Sequence, residues 1–283
     1  MDIQVLKKES AARANLRAAR MLSIVVAVLA VALSAAGLAF PSLYRDKNAL
    51  SMSLGNDLIT LAVAVPVLVF SLIYSARGST RATMIWLGGL YYMFYNYAFY
   101  VFAIPVTVFY LPWIAVFTLS GFALALGLTR LDIASIGRRF GPRTPARLIA
   151  LYMFYVAVMV GNLWLSQWVK FLATGTVPAL NGDPNAYRAI AAVDLSVMVS
   201  LLIPAGFLLW KHRPWGYVLA VMLQVQGPLY LTVMIAVCLF GWLLTPGSQL
   251  LSAWFVSSVV SCAVCLLCLT ALLRNFDRAP AAG

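Results

Sequence analysis

Eight separate apolar runs limit what this chain can become. They cover residues 21–40, 57–75, 82–103, 106–128, 148–171, 189–210, 216–244 and 250–273. Each is longer than the ~17 residues a helix needs to cross a ~30 Å hydrocarbon layer. With 63% of its residues hydrophobic and 10% charged, the chain holds more apolar side chain than a soluble domain can hide. The expected fold is all-α: a polytopic membrane protein of eight transmembrane helices, with the lipid bilayer as its first partner.

The net charge of +12 would suit a nucleic-acid binder, but its placement argues for a membrane. Lys and Arg sit between the apolar runs. With the N-terminus inside, sixteen of them fall on inner segments. Four fall outside: Arg45, Lys47, Lys170 and Arg188. That asymmetry over short loops places both termini in the cytoplasm and the protein in the cell's inner membrane, with no nucleic-acid partner. The basic tail 1–20 is expected to lie along the anionic inner surface. A basic tail before an apolar run also fits a signal peptide, with Ala-rich 33–37 as a cleavage region. Removing the first span would leave the internal repeat short.

That repeat shows as matched pairs. Asp57-Leu58 recurs as Asp194-Leu195, and Pro41-Ser42-Leu43 as Pro178-Ala179-Leu180, both 137 residues later; Pro66 recurs as Pro204, 138 later. Four spans separate the copies, so the halves should run in the same direction, related by an axis along the membrane normal. The expected organisation is a tail (1–20), a first four-helix repeat (21–129), a basic linker (130–147), a second repeat (148–274) and a C-terminal tail (275–283).

Candidate chemistry gathers in the outer half. Asp57 and Asp194 stand at matched positions beside or within spans. An ionisable residue in a span costs on the order of 3 kcal/mol and is a functional candidate by default. The plain alternative is a helix N-cap, which Asp fills well. Asp57 follows polar Leu-Gly-Asn and suits a cap. Asp194 follows Ala-Ala-Val and is expected about one turn inside its span, ~7 Å deep. The third run, GGLYYMFYNYAFYVFAIP, sets Tyr92, Asn96 and Tyr100 on one helical face. That face either cross-links helices or lines a cavity. Asn162 and Gln167 on the fifth span lie at similar depth.

Other chemistry finds little support. Cys262, Cys265 and Cys268 share a helix face at a spacing that suits small apolar filler. The only histidine, His212, lies at the opposite membrane side from the acids. No phosphate-binding glycine loop occurs. No cofactor or metal is expected.

The runs YNYAFY (95–100) and LLWKHRPWGYVLA (208–220) resemble stretches of uncharacterised bacterial polytopic membrane proteins. Each half is also similar in plan to DoxX-like four-helix membrane proteins, with one span, a proline-bearing loop, then three spans. That resemblance implies a link to redox or quinone-linked membrane processes and maps no catalytic residue. Three functions follow as expectations. The first is a carrier or permease for a small solute, with Asp57, Asp194, Asn96, Tyr92, Tyr100, Asn162 and Gln167 around an outer-half cavity. The second is a membrane-embedded enzyme or enzyme subunit acting on a lipid, quinone or isoprenoid. The third is a structural or accessory role.

Overall fold

The computed structural model describes residues 3–44, 50–179, 183–244 and 249–277, with side chains described from 15 to 244 across those segments and again from 252. Among the described residues the architecture is all-helical; pairing of extended backbone is limited to one bridge between Phe140 and Phe276. Arg45, Lys47, Leu180 and Arg278, used in the charge and repeat arguments, lie outside the described residues.

Eleven α-helices follow in order: α1 (Ile3–Ala39), α2 (Leu50–Ile59), α3 (Val65–Ala76), α4 (Thr80–Phe102), α5 (Tyr110–Leu128), α6 (Ile133–Arg138), α7 (Ala146–Thr174), α8 (Pro184–Val193), α9 (Ser200–Trp210), α10 (Pro214–Leu244) and α11 (Gln249–Asn275). A π-helical turn, Thr60–Ala64, joins α2 to α3 into one rod. A second, Asp194–Val199, does the same for α8 and α9. The basic tail is the beginning of α1, with no break between tail and span.

Among the described residues seven helices are long and apolar enough to cross a membrane: Asn15–Ala39 within α1, Leu50–Ala76, Tyr110–Leu128, Ala146–Thr174, Pro184–Trp210, Pro214–Leu244 and Ser252–Asn275. Their outward faces carry exposed Leu111, Leu148, Leu243 and Leu267, a surface only lipid covers cheaply. This is a multi-pass membrane protein. The eighth expected span is α4, which has the length, at 23 residues, but not the hydropathy. Its tyrosines and Asn96 are tolerated because α3, α5, α8 and α10 pack around it and leave it little lipid to face.

Two glycines set how closely these helices approach. A Cβ on Gly55 of α2 would lie 2.7 Å from the Val237 backbone nitrogen on α10. One on Gly88 of α4 would lie 3.0 Å from the Met222 carbonyl oxygen, also on α10. Backbone cannot yield as a side-chain tip can, so small residues are needed where α10 meets α2 and α4. At the basic end, the linker and the chain's end are clasped together. Asp277 N donates to the Arg139 carbonyl, Arg139 Nε meets Asp277 Oδ1 at 2.6 Å, and Arg81 donates to the Phe276 carbonyl.

Gly55→Ala should destabilise the protein by about 1–3 kcal/mol through overpacking. Gly161→Ala should be close to neutral, since a Cβ there meets nothing within 4 Å. Thermal unfolding in one detergent checks the pair; equal losses would contradict the packing described.

Candidate functional site

Asp57 and Asp194 are both inside the bundle, 3% and 6% exposed. Neither is a helix N-cap. Asp57 lies seven residues into α2, because that helix begins at Leu50 rather than at the acid. Asp194 lies ten residues beyond Pro184, where Asp183 caps the helix by accepting from Asn185 N. That is ~15 Å along the rod rather than the expected ~7 Å. The span starts earlier than its apolar run because Pro184 supplies a favourable first position.

Each carboxyl group accepts two side-chain hydrogen bonds. For Asp57, Tyr44 donates to Oδ2 at 2.5 Å and Tyr100 to Oδ1 at 3.0 Å, with the Ser53 carbonyl a longer alternative for Tyr100 at 3.3 Å. For Asp194, Tyr95 donates to Oδ1 at 2.5 Å and Trp164 Nε1 to Oδ2 at 2.8 Å. Trp can only donate, so this Asp194 oxygen is an acceptor. Among the described residues no Lys or Arg forms an ion pair with either acid, whereas Asp277 pairs with Arg81 and Arg139. Tyr44 lies in the connection after α1. Burial, and then the neighbouring Asp57, push its phenol well above the usual range, which keeps it a donor.

One helix serves both acids. Tyr92, Asn96 and Tyr100 share a face of α4, as the spacing predicts, and that face turns to Asp57 and the π turn after it. Tyr92 bonds to Thr60 at 3.3 Å. Tyr91 and Tyr95 lie on the adjacent face, about 100° round the helix. Tyr91 donates to the Val197 carbonyl in the other π turn, and Tyr95 packs edge-on against Tyr230 with ring centroids 5.2 Å apart. Room for the first acid comes from Gly37 on α1, where a Cβ would stand 2.1 Å from Asp57 Oδ2. Ser34 lies beside Asp57 and Tyr97, but its hydroxyl meets hydrogen-bond geometry to neither.

The remaining candidates divide. Asn96 is fully enclosed, and both atoms of its amide lack a hydrogen-bond partner. Gln224 Oε1 and Gln226 Nε2 on α10 are likewise buried without one. Asn162 and Gln167 are exposed on α7 and reach neither acid, because Trp164 occupies the inward face of that helix. Sequence reasoning missed Tyr44 and Gly37 and did not pair Tyr95 or Trp164 with an acid. The i to i+4 step from Tyr91 to Tyr95 was the available signal; the interhelical pairings and the π turns leave none. All four cysteines are free thiols, and Cys262 and Cys265 face Pro228 and Tyr152 as packing groups.

The chain matches no family model, no curated protein and no solved structure.

A double-mutant cycle on Tyr95→Phe and Asp194→Asn should give a coupling of about 0.6–1.7 kcal/mol in unfolding free energy, the range for hydrogen bonds between membrane helices. Tyr95→Phe with Asp57→Asn should be additive within about 0.5 kcal/mol. Additivity in the first cycle would mean the bond is not made.

Proposed function

We propose that the protein is a carrier for a small cationic solute, with Asp57 and Asp194 as its charge-bearing groups. The observation that carries this reading is that, among the described residues, neither buried carboxyl group has a basic partner. Each holds two donors and no counter-charge, so a proton or a cation is the natural complement. The rings of Tyr92, Tyr95, Tyr97, Tyr100 and Tyr230 supply faces that attract cations in a desolvated site. Asn96, with both polar atoms unspent, offers a further contact when the helices part. Catalysis on a lipid or quinone gains no such support, because both acids are packed inside the bundle rather than beside a lipid-open pocket.

The proposal includes eight spans, α4 among them, arranged as two parallel four-helix repeats with both ends in the cytoplasm of the inner membrane. Support for the repeat comes from the matched π turns beside Asp57 and Asp194. Each acid also takes one donor from the region of its own half's first span, Tyr44 after α1 and Trp164 on α7. Across the halves, α2 meets α10 and α4 meets α8, which is what a two-fold axis relating second to sixth and third to seventh spans requires.

Uptake of ethidium into proteoliposomes with an acidic interior tests the reading. Wild-type protein should exceed empty vesicles. Asp57→Asn and Asp194→Asn should each lower uptake by more than about tenfold, as loss of one charge-assisted contact implies, while eluting like wild type in detergent. Uptake unchanged in both variants would sink the assignment of these acids.

A further inference from the structure

An apolar groove of about 530 Å³ lies between α7 and α11, lined by Pro145, Leu148, Tyr152, Tyr155, Leu267 and Ala271 among others. It opens sideways to lipid: Leu148 and Leu267 are 68% and 70% exposed. Tyr152 spans the gap, donating to the Ser261 carbonyl at 3.1 Å. From Pro145 to Tyr155 the groove follows ten residues of helix, ~15 Å, which is half of a ~30 Å hydrocarbon layer. Its length is therefore that of one leaflet.

The end of the groove carries charge. Gly141 N donates to the Asn275 carbonyl at 2.9 Å, which seats the linker on the end of α11. Arg143 stands two residues from one side of that bond and Arg274 one residue from the other. Arg274 follows Ala271 by three residues and continues the groove-lining face of α11. Both arginines are exposed, and among the described residues neither has a hydrogen-bond or ion-pair partner, unlike Arg81 and Arg139, which hold Asp277. Asp132, another acid at this end, is engaged as the cap of α6.

We propose that this groove binds one anionic phospholipid of the adjoining leaflet, with an acyl chain along α7 and α11 and its phosphate held by Arg143 and Arg274. Guanidinium groups suit phosphate because their paired N–H groups match its oxygens. A zwitterionic lipid brings a cationic headgroup against Arg138, Arg139 and Arg147 as well, so a net negative lipid is preferred. The site is independent of the two acids and of the carrier reading.

Native mass spectrometry of the full-length protein, offered equal phosphatidylglycerol and phosphatidylcholine, tests the proposal. One phosphatidylglycerol should be retained in preference. Arg143→Gln with Arg274→Gln should weaken that binding on the order of thirtyfold and leave phosphatidylcholine unaffected. Ala271→Trp, or Leu267→Trp if the first fails to fold, should block retention with both arginines intact. Millimolar inorganic phosphate should not displace the lipid. Equal retention of the two lipids, undiminished binding in either variant, or displacement by phosphate alone would overturn it.

Discussion

A carboxyl group inside an apolar helix bundle must be given hydrogen-bond donors, and in this protein one helix gives them to two acids. α4 sends Tyr100 to Asp57 from one face and Tyr95 to Asp194 from the next. Most other features of the interior accommodate that arrangement. α4 is less apolar than its neighbours and is enclosed by them. Gly88 lets α10 approach it, Gly37 leaves space for the first carboxyl group, and a π turn re-aims the backbone after each acid. Such turns are frequent where a helix positions a functional group.

Among the described residues neither acid has a counter-ion, and the proposed carrier function rests on that. A buried ion pair is self-contained. Two phenol- and indole-bound carboxyl groups have donors but, among the described residues, no basic side chain, so each needs a proton or a cation to be neutral. Asn96 adds a second imbalance, a fully enclosed amide with neither donors nor acceptor engaged, which costs about 1–3 kcal/mol per group left unmade. Groups kept at such cost in a membrane protein are those expected to meet a ligand.

Much of the fold was legible in the sequence, because long apolar runs can do little besides cross lipid. The face shared by Tyr92, Asn96 and Tyr100 follows from helical spacing alone. Depth was less legible. Asp57 reads as a cap after Leu-Gly-Asn, yet Leu50 already starts the helix; Asp194 lies farther from the start of its helix than its apolar run implies, because Pro184 starts the rod early. Asn162 and Gln167 lie on the exposed side of α7, away from both acids. The interhelical partners, Tyr44 and Trp164, depend on packing that periodicity does not encode.

Infrared difference spectroscopy on adding ethidium tests the central claim most directly, because it observes the carboxyl groups themselves. The account predicts that carboxyl bands change on binding, that Asp57→Asn and Asp194→Asn each remove a distinct part of the change, and that the double variant removes it all. Ethidium binding with unchanged aspartate bands would contradict it.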